Sequence, residues 1–352
     1  MKKTLSNMLL NLLFILVAVP INAFAADGDV YKEKTISKVY LVNSNAGIDI
    51  RNKYGNIYVT TWDEDKIGIE VVIKVHGKNE SIVTKRINSI NVEINPLTNL
   101  VSAKTIVEEM SGNKISLEIN YTIKMPKAGS VKLNNKYGSI IADRVQGRAE
   151  IDCQYGSITL GELLSGDNLI SIQYCSNSTI AYLKNGVVDA KYSDLKIIKS
   201  GNLNYKSEYS DLALKEVNNI TYKSIYSDLT IVSSNNINGN GDYLTLKFGT
   251  ILNNCNIVTE YSNISVNAIT PKTNNVAITC EYTNIDIRYD SDYSFVFEFN
   301  FKFGDLSASG LNFQTKREDT GVSYYKGYYK NNNSSNRMNI NSKYGNLKLI
   351  KI

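Results

Sequence analysis

The chain has 352 residues, 43% of them hydrophobic, enough to bury a sizeable core, which excludes a disordered, collagen-like or mucin-like protein. It carries 39 Lys and Arg against 34 Asp and Glu, and this net charge of +5 does not indicate a nucleic-acid-binding surface. Only 4 prolines, 24 tyrosines and many asparagines favour strands joined by tight turns over helices.

Residues 1–25 have the composition of a secretory signal peptide. Two lysines precede an apolar run centred on residues 12–19, and an Ala-x-Ala cleavage site ends at Ala25. A membrane anchor is the alternative, but the apolar run is shorter than the roughly 20 residues that a span needs. We therefore expect an exported protein, periplasmic, secreted or at the cell surface, with no transmembrane segment in the mature chain.

The four cysteines are Cys153, Cys175, Cys255 and Cys280. An exported protein is in a compartment that permits disulfides, but no Cys-x-x-Cys pair indicates a zinc or redox site. Cys153 and Cys280 each lie two residues before a repeated tyrosine, where other copies of the repeat carry Ala, Ser or Thr. We interpret them as small core residues, and leave open whether they pair.

A ten-residue pattern recurs twelve times between residues 50 and 349, as in LNNKYGSIIA from Leu133 and VDAKYSDLKI from Val188. Each copy has one central aromatic residue: Tyr54, Tyr137, Tyr155, Tyr174, Tyr192, Tyr209, Tyr226, Phe248, Tyr261, Tyr282, Phe303 and Tyr344. Nine intervals cover the 166 residues from 137 to 303, which gives a mean period of about 18 residues.

Within each copy, apolar residues alternate up to the aromatic residue, the phase shifts over two turn-forming residues, and alternation resumes. This pattern indicates two short strands that meet at a corner. One copy cannot bury its own apolar face, so the copies must stack, and the sequence predicts an all-β fold, a parallel β-solenoid. A β-propeller needs repeats of roughly 40 residues, and the Leu and Asn spacing of leucine-rich repeats is missing.

Two regions depart from the regular repeat. Residues 26–131 hold longer alternating stretches at 67–75 and 114–124 and a helical pattern near 79–88, which together predict an N-terminal cap over the exposed edge of the first coil. Residues 132–352 form the regular solenoid, except that residues 320–337 interrupt it. No alternation is evident there, so we expect an exposed loop.

This predicted loop has the composition of a recognition surface. Rigid aromatic rings with polar ends and positive charges are typical of binding loops. The candidate residues are Tyr324, Tyr325, Lys326, Tyr328, Tyr329 and Lys330. The alternative is that these rings fold back over the last coil as a hydrophobic cap, because the end of a solenoid must be covered.

The recurring YG-[SN]-[IL] and YSDL motifs, the export signal and the Lys124-Met125-Pro126 step together resemble the bacterial putative-adhesin family. The likeness covers roughly residues 36–352. It implies a right-handed single-stranded β-helix in an exported domain of unknown function, an adhesin or cell-envelope scaffold. Related β-helical domains accompany envelope-stress systems, which gives a periplasmic partner or sensor as the alternative. The family has no established catalytic residues to transfer.

The repeated rings could form a sugar-stacking ladder or a column inside the coil. We predict the buried column, because Phe248 and Phe303 replace Tyr and the rings share the phase of core residues. A second column, Asp194, Asp211 and Asp228, recurs at the interval of one repeat and could hold Ca²⁺. We favour turn residues, since Asn, Ser and Thr occupy the same position in other copies.

Catalysis is not indicated by any motif. Some β-helical enzymes cleave acidic polysaccharides with clustered carboxylates, Ca²⁺ and a basic residue, but here the acidic residues are spread over turn positions. The single histidine, His76, lies outside the regular repeat, and there is no triad, P-loop or HExxH motif. We expect a protein without catalytic, cofactor-binding or metal-ligating residues. The sequence does not identify its partner; a protein or glycan of the cell envelope is the candidate, and a nucleic acid is not expected.

Overall fold

The computed structural model describes residues 30–108 and 115–352, so the predicted signal peptide lies outside the described residues. This part of the chain is nearly all β, with one helix, α1, at Glu80–Ser89. The strands are β1 Val30–Leu41, β2 Gly47–Lys53, β3 Ile57–Trp62, β4 Lys66–Gly77, β5 Asn91–Pro96, β6 Leu100–Ile106, β7 Ile115–Pro126, β8 Val131–Lys136, β9 Ile140–Val145, β10 Ala149–Gln154, β11 Ile158–Leu163, β12 Asn168–Gln173, β13 Ser178–Lys191, β14 Asp194–Glu208, β15 Asp211–Glu260, β16 Asn263–Ile269, β17 Asn275–Glu281, β18 Asn284–Tyr289, β19 Phe295–Lys302, β20 Leu306–Ser307, β21 Asn312–Asp319, β22 Val322–Tyr329, β23 Arg337–Lys343 and β24 Leu347–Lys351.

Most strands form one large, mainly parallel sheet in which each strand pairs with the strand one repeat away, as a β-solenoid would. We use "coil" for the two strands on either side of one repeated aromatic residue. Val131 of β8 pairs with Ala149 of β10, and Asp194 pairs with Asp211 one coil further on. Alternate residues point into a continuous core, which contains all four cysteines as buried, free thiols.

The N-terminal end is covered by longer antiparallel strands and the helix. β4 pairs antiparallel with β1 on one side and with β7 on the other, and β7 then pairs in parallel with β3. The Asn79 side chain caps α1 by accepting a hydrogen bond from the Ile82 amide at 3.1 Å. Val83 and Ile87 are buried on the face of α1 that contacts β1 and β4. The predicted helix near 79–88 therefore exists, shifted by one residue.

The coils at both ends stack out of chain order. β2 lies between β6 and β8, so the first coil in sequence is second in the stack. At the other end β23 pairs in parallel with both β17 and β19, and β24 pairs with both β18 and β20. The C-terminal coil is thus inserted between two coils that precede it in sequence.

The prediction of an exposed loop over residues 320–337 is wrong for the first half of this segment, which contains a strand. Residues 322–329 form β22, which pairs antiparallel with β19 and β21 at the end of the stack. Tyr325 and Tyr329 are only 6% and 8% exposed, and Gly327 lies between them on the same inward face. A Cβ on Gly327 would lie 2.0 Å from the Asn312 carbonyl oxygen, so only glycine fits at this inward-facing position. That glycine conceals the strand pattern in the sequence.

No helix in the described part of the chain is long and apolar enough to cross a membrane.

Candidate interaction surface

The repeated aromatic rings lie on the outside of the stack, which contradicts the prediction that they are buried. Twelve rings, each between 38% and 54% exposed, form one continuous ladder. In stacking order they are Tyr54, Tyr137, Tyr155, Tyr174, Tyr192, Tyr209, Tyr226, Tyr243, Tyr261, Tyr282, Tyr344 and Phe303. At one ring per coil, the ladder is on the order of 50 Å long.

Backbone conformation explains why the rings point outward. Every ladder residue has a positive φ, between 49° and 64°, which is the left-handed region. This conformation turns the chain at the corner and interrupts the alternation: Tyr205 and Ser207 point inward, Tyr209 points outward, and Leu212 is again buried. The Tyr209 amide donates to the Ile225 carbonyl of the next coil at 3.1 Å, so the corner backbone remains hydrogen-bonded.

A small residue follows eleven of the twelve rings and permits the close stacking of coils; Leu244 follows Tyr243. A Cβ on Gly156 would lie 2.0 Å from the Gly138 carbonyl oxygen of the neighbouring coil. Where the residue is serine, its hydroxyl completes the corner: Ser210 Oγ accepts from the Ser193 amide at 3.1 Å and donates to the Glu208 carbonyl at 2.9 Å. The YG and YS dipeptides of the repeat therefore form the same type of corner, in which the residue after the ring is either a glycine or a serine that hydrogen-bonds to the backbone.

Adjacent rings cover one another's faces. Centroid separations between neighbours are 4.6–5.4 Å and interplanar angles are 5–20°, which is offset stacking. The ring edges and the phenol hydroxyls are therefore the parts that the ladder presents to solvent. At the C-terminal end of the stack, Gly321 in the β21–β22 turn packs against Phe303.

One predicted member of the ladder is not part of it. Phe248 is 1% exposed and lies in the core, five residues after Tyr243, which takes the ladder position. The sequence contained the signal: Tyr243 lies midway between Tyr226 and Tyr261, one repeat from each. With Tyr243 in place of Phe248, the period is regular through this part of the series.

Two columns of side chains flank the ladder, the residue before each ring and the residue two after it. Over the six coils from Tyr192 to Tyr282 these flanking columns contain one lysine, Lys191, and seven carboxylates. The carboxylates are Asp194, Glu208, Asp211, Asp228, Asp242, Glu260 and Glu281. Within the described residues, Glu281 is the one of these seven that has an ion-pair partner, Lys343 at 3.4 Å. The middle of the ladder is therefore acidic.

One hydrogen bond within the aspartate column runs from coil to coil. Asp211 Oδ1 accepts the Asp228 amide at 3.2 Å. Burial raises the pKa of Asp211, and the charges of Asp228 and Asp194 raise it further, while the hydrogen bond from the Asp228 amide lowers it. Among residues 30–108 and 115–352, no three His, Cys, Asp or Glu side chains are grouped so that they could hold a metal ion.

Two phenols of the ladder, those of Tyr209 and Tyr261, have a raised pKa. Partial burial raises the pKa of Tyr209, and so do the neighbouring Tyr226, Tyr192 and Glu208. The pKa of Tyr261 is raised in the same way, by partial burial and then by Tyr282, Tyr243 and two glutamates. At neutral pH these hydroxyls are therefore hydrogen-bond donors as well as acceptors.

Of the six residues of the predicted recognition loop, five lie on β22 and alternate between its two faces, and the sixth, Lys330, directly follows the strand. Tyr325 donates to Glu318, and Tyr329 donates to the Ser291 carbonyl at 3.2 Å, so both rings cover the core. Lys330 is paired with Asp292 at 2.6 Å. The remaining three, Tyr324, Lys326 and Tyr328, are on the more exposed side of the strand or its edge. Their role in recognition stays a prediction.

No protein-family profile and no curated protein matches the chain. Among solved structures, it is similar to a putative cell adhesion protein from Clostridium sporogenes, at 10% identity over 91% of this chain and 100% of that one, with a TM-score of 0.17. It is also similar to a putative adhesin from Bacteroides fragilis, at 14% identity over 91% and 97% of the two chains, with a TM-score of 0.24. A putative adhesin from Parabacteroides distasonis matches at 14% identity over 73% and 90%, with a TM-score of 0.26.

Proposed function

We propose that this protein is a non-catalytic, exported β-solenoid, wound in a right-handed sense with one repeat of the sequence per coil, that acts as an adhesin or cell-envelope scaffold. The ladder and its two flanking columns are its interaction surface. The observation that supports this proposal is the exposure of a stacked ring at the corner of twelve coils.

Stacking offsets the backbone cost of the corner. A non-glycine residue in the left-handed region costs roughly 1–2 kcal/mol, a cost that glycine avoids and asparagine reduces. A ring inside the ladder recovers this through two stacked pairs, roughly 0.5–1.5 kcal/mol each, and through burial of about half its surface. All twelve corners therefore keep a ring. The result is an uninterrupted surface that a partner can contact at every coil.

The shape of the surface favours an elongated partner. The ladder is continuous, and the planes of neighbouring rings differ by at most 20°. A partner that lies along it can repeat the same contact at each coil, so weak individual contacts add through effective concentration. We therefore expect binding that depends on several consecutive coils and that tolerates the loss of one ring.

Binding to intact bacterial cells and isolated envelopes tests the proposal. The triple variant Tyr192→Asn, Tyr209→Asn, Tyr226→Asn removes three rings and keeps a residue that tolerates positive φ. We expect at least tenfold weaker binding than the wild-type chain, with cooperative thermal unfolding retained. The control, Ile198→Asn with Val232→Asn, changes two exposed apolar residues away from the ladder and should bind normally. Wild-type binding by the triple variant would refute the proposal.

A further inference from the structure

We infer that the ladder binds a neutral linear polysaccharide that lies along the stack, with one sugar ring for each coil. This inference rests on the proposed function, because it names the ligand class of the same surface.

The spacing of the coils favours a polysaccharide over an extended polypeptide. The rings between Tyr174 and Tyr282 are 4.6–5.1 Å apart. In an extended peptide, side chains on one face recur every two residues, about 6.6 Å, so a peptide would lose register within a few coils. A chain of β-1,4-linked pyranose rings advances by about one coil per sugar. Successive sugars are turned over, so the chain stays in register and repeats the same contacts at every second coil.

The arrangement of hydrogen-bonding groups suits a polyhydroxyl ligand. Each coil from Tyr192 to Tyr282 presents a phenol at the centre. The raised pKa values of Tyr209 and Tyr261 keep those two phenols protonated. Carboxylate and amide oxygens lie on either side, for example Glu260 before Tyr261 and Asn263 after it. Sugar hydroxyls both donate and accept, so they can satisfy the phenols and the carboxylates at once.

The charge of the flanking columns restricts the ligand further. Seven carboxylates against one lysine over six coils repel acidic polysaccharides and anionic lipid surfaces. The contact differs from the usual stacking of a sugar on an aromatic face, because the ring faces are already covered by neighbouring rings. Specificity would come from the hydroxyls and carboxylates, and affinity from repetition along the stack.

Titration with defined glycans tests this inference. The probes are neutral 1,4-linked glucan oligomers from disaccharide to octasaccharide, with polygalacturonate as the acidic and polylysine as the basic comparison. We expect affinity for the neutral oligomers to rise with each added sugar and to be nearly independent of salt, because no charge is neutralised. Polygalacturonate should not compete.

The decisive variant removes three hydroxyls and keeps the stack: Tyr192→Phe, Tyr209→Phe, Tyr226→Phe. Each lost hydrogen bond weakens binding by roughly two- to tenfold, so the triple variant should bind the octasaccharide at least tenfold more weakly. The matched control is Tyr222→Phe, whose hydroxyl is buried in the same coils and has no hydrogen-bond partner among the described residues. It should bind the glycan as the wild-type chain does.

The outcomes separate the two proposals. If the asparagine triple variant loses envelope binding but no neutral glycan binds or competes, the ligand class is wrong and the interaction surface stands. Salt-sensitive binding of polylysine in place of glucan would also overturn the ligand class, in favour of a basic polypeptide. Full glycan binding by the phenylalanine triple variant would refute the role of the hydroxyls.

Discussion

Because Tyr209 has a left-handed backbone conformation, we predict an unusual order of stability among variants at this position. Its ring stacks on Tyr192 at 5.1 Å and on Tyr226 at 4.8 Å, is about half exposed, and has φ of 49°. Tyr209→Ala loses two stacked pairs, roughly 1–3 kcal/mol, and the burial of half a ring, roughly 1 kcal/mol. We therefore expect a loss of about 2–4 kcal/mol in the free energy of unfolding.

The comparison of Ala with Gly isolates the backbone contribution. Tyr209→Gly loses the same ring but is free of the left-handed penalty of roughly 1–2 kcal/mol, against roughly 0.5–1 kcal/mol of extra chain entropy in the unfolded state. The Gly variant should therefore be about 0.5–1 kcal/mol more stable than the Ala variant. Tyr209→Phe keeps both stacked pairs and removes only an exposed hydroxyl, so it should change stability by less than about 0.5 kcal/mol.

Urea unfolding measures all three variants, and Ala213→Gly is the matched control. Ala213 is exposed in β15, four residues further on, where φ is not positive. There glycine should destabilise by roughly 0.5–1 kcal/mol, the ordinary order. If glycine is also worse than alanine at position 209, or if Tyr209→Phe costs as much as Tyr209→Ala, the account of the corner is wrong.

Three further predictions concern metal binding, pH and the inserted coil. Thermal unfolding curves measured with millimolar Ca²⁺ and with chelator should coincide. Asp211→Asn should not destabilise the fold, because it removes repulsion from two aspartates. A Ca²⁺-dependent rise in Tm that Asp211→Asn abolishes would contradict this prediction. Burial raises the pKa of Tyr121 to about 12, so the folded state binds the phenol proton more tightly than the unfolded state does. The free energy of unfolding should therefore stay constant up to about pH 10 and fall towards pH 12. The fall should occur together with a rise in phenolate absorbance. A chain that ends at Asn336 loses four buried apolar side chains of β23 and β24, whose burial contributes roughly 6–12 kcal/mol. It should therefore no longer unfold cooperatively in urea. Wild-type unfolding of this chain would refute the insertion of the C-terminal coil between two other coils.

The interior could be predicted from the sequence, because strand alternation is a direct consequence of backbone geometry. Ile151 and Cys153 are buried two residues apart in β10, as the pattern requires. The direction of the rings could not be predicted in the same way. By alternation alone Tyr155 should follow Cys153 inward, and only its positive φ places it outside. The small residue after most of the rings was the available signal, since glycine or serine there indicates close approach of the next coil.

Coil order could not be predicted, because equivalent repeats offer equivalent partners. Any coil with alternating apolar residues can pair with any other, and spacing reports only that the series is interrupted. The long intervals after Tyr54 and before Tyr344 mark both interruptions, but neither specifies that a coil is inserted there. Long-range pairing selects the order, through contacts such as those of β23 with two strands that precede it.

Insertion changes how the stack ends. In a solenoid that follows chain order, the terminal coil has one neighbour and can fray without disturbing the rest. Here the C-terminal coil has a neighbour on each side, and the outermost coil, with Phe303, is held by β22 and the β21–β22 turn. Release of the chain end must therefore break two rows of strand hydrogen bonds together. Because Tyr344 stacks on both Tyr282 and Phe303, the same insertion keeps the ladder continuous to its last ring.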